Sequence, residues 1–373
     1  MNVLRLFFAK LLEGIFTKLP LQRKVVFQNF DGKGFGCNPK AIAIALNEID
    51  PSIKCIWLTS GPNYLMPDWI TPVSNIILKK YHLATSKVWV DNTRCGCRTH
   101  KRKNQFYIQT WHAGFHGKKV ENDAVLLPDH YRIEAQYDSS ITDLMVSDSQ
   151  WCSELYRKSF WYGGEILEVG SPRCDFLINY PNGNGSVHRY FKLDRNVPLV
   201  LYAPTFRAGG KNVYNIDWDN VLPSLRSKFG RDFKLIIRMH PNISTMDFGF
   251  KYGEDILNGT DYPDMYELLA ECDIEINDYS SSMFEFALLH KPVFLFTPDS
   301  IDYEKERGFY FPLESLPFPL SRTNSELIEI ITNFDNEKYI ESVENFFNDY
   351  STIRTGHASI DVAKRIVQEI NKL

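Results

Sequence analysis

Short apolar runs rich in β-branched and aromatic residues recur along the chain, with stretches long enough for a helix between them. Lys24 to Gln28, Cys55 to Thr59, Asn75 to Leu78 and Lys87 to Val90 read as strands of a first series, with Phe106 to Gln109 beyond them. Pro198 to Ala203, Phe233 to Arg238, Asp273 to Asn277 and Pro292 to Phe296 form a second. Parallel strands need a crossover connection, commonly a helix, so this alternation predicts parallel sheets with helices on both faces. A chain of 373 residues exceeds the ~250 at which single cores stop growing. Two Rossmann-like halves facing a cleft are therefore expected. The turn-forming segment Asn179-Tyr-Pro-Asn-Gly-Asn-Gly-Ser186 reads as the loop or linker that closes the first half. The boundaries expected are 1–24 for an N-terminal helix, 25–185 for the first half and 186–373 for the second. The amphipathic helix from about Ser359 to Asn371 crosses back to the first half.

The first 24 residues place Val3, Leu4, Phe7, Phe8, Leu11, Leu12, Ile15, Phe16 and Leu19 at three- and four-residue steps, which lines one helical face. Arg5, Lys10, Glu13 and Lys18 interrupt it too often for a membrane span, which needs ~20 apolar residues, and they break a secretory signal core. The helix either packs on the protein's own core or lies in the lipid headgroup plane as a basic anchor. Seven cysteines show no disulfide framework, which fits a reducing compartment. Cys95, Cys97 and His100 are spaced too tightly for a closed tetrahedral site, so no metal is expected. With 42 Lys+Arg against 46 Asp+Glu the net charge is −4, and no global field attracts nucleic acid. Anion binding must come from local clusters.

Three such clusters stand out. Between Arg94 and Val120 lie seven cationic side chains and three histidines with no Asp or Glu. Within it, Gln-Thr-Trp-His at 109–112 follows the strand Phe106 to Gln109, placing His112 at a strand's carboxyl end, the edge that lines ligand crevices in open α/β sheets. His112 has the intrinsic pKa of a general base near neutrality, and Lys118 and Lys119 are point charges for phosphate. The second cluster is Arg238-Met-His240-Pro, an Arg and a His ending an apolar strand. The third is Asn277-Asp-Tyr-Ser-Ser-Ser282, where three serines open a helix whose N-terminus favours phosphate. A plain capping box, Ser282 with Glu285, is the alternative there. The glycine turn Asp31 to Gly36 matches neither a P-loop nor a dinucleotide fingerprint, and no Gly-x-Ser-x-Gly elbow is present.

Taken in order, Gln-Thr-Trp-His at 109–112, Gly-Ser-Pro-Arg-Cys-Asp at 170–175, Leu-Tyr-Ala-Pro-Thr-Phe-Arg at 201–207, Arg-Met-His-Pro at 238–241, Asn-Asp-Tyr-Ser-Ser at 277–281, Lys-Pro-Val-Phe at 291–294 and Arg-Gly-Phe-Tyr at 307–310 resemble the CDP-glycerol glycerophosphotransferase family of teichoic acid and capsular polymer synthesis. The resemblance implies a GT-B-like fold, with an N-terminal acceptor domain and a C-terminal domain for the CDP-alditol donor. It implies functional histidines at His112 and His240 and a phosphate site at Ser280 and Ser281. Arg173, Thr205, Arg207, Arg238, Asp278, Glu285 and Arg307 join Lys118 and Lys119 as expected substrate-binding residues. The expected reaction moves glycerol phosphate from CDP-glycerol to a hydroxyl of a polyprenyl-linked glycan or polyol-phosphate acceptor, releasing CMP, without a cofactor. Such an enzyme would work peripherally at the cytoplasmic membrane face. CDP-ribitol as donor, a nucleotide-sugar glycosyltransferase and a non-catalytic scaffold are the alternatives. Trp-His-Ala-Gly stands where the family often has Trp-His-Gly, and Pro-Arg-Cys-Asp where it often has Pro-Arg-Asn-Asp. The chain's modest length favours a priming or side-branch transferase, or a capsule enzyme, over a processive polymerase. The cationic edge near 94–119 and the serine-lined helix start near 280 are expected to meet one pyrophosphate.

Overall fold

The computed structural model describes residues 12, 14–61, 65–94, 100–205, 207, 213–239 and 248–373. The expected N-terminal helix lies mostly outside them, although Gly14 to Phe16 are helical. Cys95, Cys97 and His240 also lie outside. Among the described residues no helix is long and apolar enough to cross a membrane.

Contacts divide the chain into two compact units, 1–114 with 127–175 and 352–373, and 115–126 with 176–351. The motif 109–119 is therefore divided, with His112 in the first unit and Lys118 and Lys119 in the second. The segment 179–186 belongs wholly to the second unit, where Lys291 Nζ donates to Pro181 O at 2.9 Å.

In the first unit, β1 (Gln22–Gln28), β2 (Lys54–Leu58), β3 (Ile70–Val73), β4 (Ser86–Asp91), β5 (Phe106–Gln109), β6 (Leu144–Ser147) and β7 (Glu165–Glu168) form one sheet. Its order is β3-β2-β1-β4-β5-β6-β7, every pairing parallel. In the second, β8 (Leu199–Tyr202), β9 (Lys234–Ile237), β10 (Ile256–Asn258), β11 (Ile274–Asn277), β12 (Val293–Phe296) and β13 (Leu320–Ser321) follow the order β10-β9-β8-β11-β12-β13, again parallel throughout. Both sheets start in the middle and grow outward on either side. The direction of winding therefore reverses between β1 and β4, and between β8 and β11. Loops leaving the carboxyl ends of such a strand pair diverge, and the gap they leave is where open α/β sheets bind ligands.

Fully buried strands explain why the sequence runs are continuous rather than alternating: β6, β8 and β12 are buried at every position. The helix Ala358–Ile370 buries Val362, Ala363, Ile366 and Ile370 in the same core cluster as Ile42, Ala43 and Leu46 of the helix Cys37–Ile49. Each large aliphatic side chain so buried contributes about 1.5–3 kcal/mol. The start of the last helix is satisfied from a distance, because Asp175 accepts from the amides of Ala358 (3.0 Å) and Ser359 (2.7 Å).

One expected strand is corrected. Asn75 to Leu78 opens the helix Ile76–Thr85, with Asn75 Oδ1 accepting from the amides of Ile77 and Leu78 at 2.9 and 3.3 Å. The strand beside β2 lies earlier, at the sheet edge, where Pro72 is tolerated. A three-residue apolar run carries no period, and the capping Asn decides it.

Candidate functional site

The first unit's cluster sits where its winding reverses. At the end of β1 and β4, Asn92 binds across the switch point. Its Oδ1 accepts from Phe30 N at 2.9 Å and its Nδ2 donates to Asn29 Oδ1 at 2.8 Å. Asn92 O then accepts from His112 Nδ1 at 2.7 Å. A carbonyl can only accept, so Nδ1 carries the hydrogen and the lone pair of the neutral ring lies on Nε2. The ring is half-buried between Trp111, whose centroid is 4.3 Å away, and Phe30 at 5.4 Å.

Trp111 adopts φ +51, a left-handed backbone unusual for an aromatic residue. The turn is held by Gln109 Oε1, which accepts from Trp111 N at 2.9 Å, and by Asn38 Nδ2, which donates to Trp111 O at 3.0 Å. Asn38 Oδ1 also accepts from Arg173 N at 3.0 Å, while buried Arg173 donates from its guanidinium to His112 O. Arg173 thus fixes the backbone of the histidine. Gly114 completes the turn, since a Cβ there would lie 1.5 Å from Asp148 Oδ2.

The basic flank upstream behaves differently from expectation. Arg94 is buried and paired with Asp138 at 3.0 Å, and Lys101 pairs with Asp143 at 2.9 Å. Arg102 donates to the carbonyls of Leu19 and Ala84 at 2.8 and 3.1 Å. The acids missing from the local sequence arrive from residues 138 and 143, so Arg94 and Lys101 are structural. Arg98 lies outside the described residues.

The second unit's cluster occupies the other reversal point, between β8 and β11. Asp278, just past β11, accepts from Thr205 N at 3.0 and 2.9 Å and from Thr205 Oγ1 at 2.7 Å, tying the loop after β8 to its neighbour. Arg207 pairs with Asp278 at 3.0 Å and, through Nε, with Asp299 at 2.7 Å. It also donates to Thr205 O at 2.7 Å. Its guanidinium lies 4.8 and 4.7 Å from the rings of Tyr279 and Tyr303, which stack with centroids 4.0 Å apart. Burial works against the charged guanidinium, and the two carboxylates outweigh it, holding its pKa above the ordinary value. Arg207 is therefore a node that shapes the site.

Lys118 reaches this cluster through backbone pairing. Residues 117–119 run antiparallel to 308–310, with Lys119 N donating to Gly308 O at 3.0 Å and Tyr310 N to Gly117 O at 2.9 Å. Burial pushes the Lys118 ammonium down to about 8; Asp278 opposes that, and Arg307 and Arg207 add to it. Lys119 and Arg307 are exposed beside it. Arg238 continues β9 and donates to the carbonyl of Tyr262. Burial lowers its pKa too, with Asp264 and Asp261 opposing only in part, and among the described residues no carboxylate pairs with it. A desolvated cation of this kind is stabilised when an anion arrives.

Ser280 and Ser281 are half-buried at the end of β11. The helix they precede, Ser282–Ala287, is six residues long, so its dipole is small. The Ser282–Glu285 capping box does not form. Ser282 Oγ instead lies 2.8 Å from Glu275 Oε1, and Glu285 accepts from Tyr266 OH at 2.7 Å. The helix starts at Ser281 in αR geometry without a side-chain cap. Asn38, Asn92 and Asp299 escaped sequence reasoning. Asp299 had a readable signal, its position just beyond a strand's carboxyl end, as for Asp278.

Residues 13–368 match a protein family described as CDP-Glycerol:Poly(glycerophosphate) glycerophosphotransferase. The chain is 32% identical to the teichoic acid poly(glycerol phosphate) polymerase of Bacillus spizizenii over 94% of its length and 93% of that protein's. It is equally 32% identical to the enzyme of that name from Bacillus subtilis, but spans 49% of that longer chain. Among solved structures it is similar to the wall teichoic acid polymerase TagF, with a TM-score of 0.86 at 28% identity over 98% of this chain and 95% of that one. TagF has also been solved after a CDPG soak. A polymerase matched over nearly its whole length removes the argument that a chain this short favours priming.

Proposed function

This chain belongs to the CDP-glycerol:poly(glycerophosphate) glycerophosphotransferase family, and from that premise we propose that it transfers glycerol phosphate from CDP-glycerol to a hydroxyl of a membrane-linked glycan or polyol-phosphate acceptor, releasing CMP, in teichoic acid synthesis. The observation that carries this reading is the group of desolvated cations, Lys118 and Arg238, in the unit whose reversal point bears Thr205, Asp278 and Ser280. A diphosphate supplies the negative charge that this unit's own carboxylates leave unmatched.

In this reading His112 Nε2 takes the proton of the acceptor hydroxyl as its oxygen attacks the glycerol-bearing phosphorus. The acceptor O–P bond forms, the bond to the CMP oxygen breaks, and CMP departs with an added negative charge. Phosphoryl transfer needs positioning and charge stabilisation more than covalent chemistry from the protein. Lys118, Arg238, Arg307 and the hydroxyls of Ser280 and Ser281 supply that charge stabilisation. His240 is proposed to join them, and Arg207 acts through the Asp278 carboxylate that positions Thr205. The protein works at the cytoplasmic membrane face as a peripheral enzyme.

Incubating purified protein with an acceptor and either CDP-glycerol or CDP-ribitol, and following CMP, tests the proposal. CMP from the glycerol donor is expected. Release from ribitol donor alone would replace it with a ribitol-phosphate transferase, and UDP released from a UDP-sugar with a glycosyltransferase.

The Lys118 ammonium adds a pH dependence. With a free-protein pKa of about 8, Lys118 is charged below that pH and loses its proton above it. A bound diphosphate raises that pKa, so binding takes up a proton on the alkaline side. The Lys118 proton by itself is then expected to leave donor Kd flat below pH 8 and to raise it by up to about tenfold per pH unit above that. Lys118→Arg, which keeps its charge, should weaken this alkaline rise. Calorimetry between pH 7 and 10 measures it, and an unaltered profile in that variant would exclude the lysine as its source.

A further inference from the structure

Beneath the serine loop lies a carboxyl group that no step above uses. Glu275 sits on β11 with no exposed surface, and among the described residues its Oε2 has no hydrogen-bond partner. An ionised carboxylate buried with one oxygen unpartnered by protein is strongly disfavoured. Burial pushes its pKa up to about 8, with Glu285 and Asp278 adding to the rise, against the Ser282 and Asn277 hydrogen bonds that oppose it. Tyr339, on the helix Asn336–Asp349, and Cys272, at the foot of β11, also feel this carboxyl, and the pKa of each is raised by burial first.

The contacts around Oε1 set a direction for every hydrogen. Asn277 Oδ1 accepts from Asp278 N (2.7 Å) and Ser280 N (3.1 Å), so its amide cannot be flipped. Its Nδ2 therefore donates to Glu275 Oε1 and to Ser282 Oγ, both at 2.9 Å. Ser282 Oγ lies 2.8 Å from Glu275 Oε1 and 3.1 Å from Ser280 Oγ. A hydroxyl has one hydrogen and two lone pairs. One lone pair of Ser282 already takes the Asn277 hydrogen, and two arrangements then use both its own hydrogen and its second lone pair. When Glu275 is protonated, its Oε1–H donates to Ser282, Ser282 donates to Ser280, and the Ser280 hydrogen points outward. When Glu275 is ionised, Ser282 donates back to the carboxylate, Ser280 donates to Ser282, and Ser280 presents only lone pairs.

We propose that Glu275 is a positioning residue for the donor: its proton, passed as a hydrogen-bond polarity through Ser282, turns the Ser280 hydroxyl into a donor to the diphosphate of CDP-glycerol. This rests on the reading of Ser280 as a phosphate ligand given above. The Asn277 clamp makes the relay two-state, and the bare Oε2 places the proton on Oε1, where an acceptor waits. The geometry explains why a carboxyl, rather than an apolar side chain, occupies the centre of a buried strand.

The test compares Glu275→Gln, Glu275→Leu and Ser280→Ala by calorimetric CDP-glycerol binding and steady-state kinetics from pH 6.5 to 9.5. With Asn277 Nδ2 fixed as a donor, a glutamine places its carbonyl oxygen at the Oε1 position and accepts from Asn277 and Ser282 at every pH. E275Q should therefore weaken donor binding at neutral pH and lose one proton from the alkaline rise. The slope of log Kd against pH then approaches one, from Lys118 alone, where the unaltered protein approaches two. E275L, which cannot donate, should raise donor Kd and KM by about tenfold, the loss of one hydrogen bond to a charged acceptor, with kcat changed less. In a Ser280→Ala background the same Glu275 substitutions should have no further effect on Kd. If S280A binds donor normally, the phosphate-ligand reading fails. If S280A weakens binding but E275Q keeps the full alkaline slope, or E275L binds as the unaltered protein does, the relay is overturned while that reading stands.

Discussion

Replacing His112 by alanine is expected to slow CMP release by roughly 10²–10⁴-fold, the usual contribution of a positioned general base. The size follows from how completely the ring is prepared. Asn92 O at 2.7 Å holds the hydrogen on Nδ1, Trp111 and Phe30 flank the ring, and Arg173 fixes its backbone carbonyl. The loss should fall on kcat, with donor Kd little changed, because the proposed donor contacts belong to other residues. Stopped-flow or quenched single-turnover measurement of CMP with His112→Ala separates the two. Turnover within about twofold of normal in a folded variant would remove His112 from the chemistry.

Replacing Arg207 by methionine is expected to destabilise the second unit by about 3–5 kcal/mol, the range seen when one partner of a buried ion pair is removed. The substitution strands Asp278 and Asp299, both buried or nearly so, and takes a cation away from the rings of Tyr279 and Tyr303. The pH dependence supplies a sign. In the unaltered protein Arg207 holds the Asp299 carboxyl below the usual range although burial works the other way. That contribution is full above the ordinary carboxylate pKa of about 4 and is lost as pH falls through the lower folded value. Without Arg207, burial raises the Asp299 carboxyl instead, so the variant should recover stability as pH falls from 7 toward 5. Chemical denaturation across that range measures it. Adding Asp278→Asn and Asp299→Asn should restore part of the loss at pH 7. Equal stability of Arg207→Met and the unaltered protein would mean that the network is not a stability node.

Much of this was legible from residues alone. Eight of the runs read as strands are strands, because a strand buried on both faces needs an unbroken apolar run, as in Leu199–Tyr202 and Val293–Phe296. The run at Asn75 failed because three apolar residues fit either period and the side chain of Asn75 was free to cap. Among the functional candidates, His112, Thr205, Asp278 and Ser280 follow strands and could be placed at carboxyl ends by counting. The charge of the 94–119 stretch could not be judged that way. Its missing acids, Asp138 and Asp143, are supplied by later segments, and only Lys118 of its described members joins the diphosphate-binding candidates.

What sequence alone determined about this protein is the alternation of buried strands and helices, the motif order that marks its family, and the residue types that stand at strand ends. Those depend on local period and on the chemistry of single side chains. Tertiary structure alone decided which strand pairs form the reversal points, which cations are matched, and that Glu275 lies buried beside Ser282. Charge pairing, desolvation and hydrogen-bond direction depend on distances of a few ångströms between residues far apart in the chain, and no local pattern encodes them.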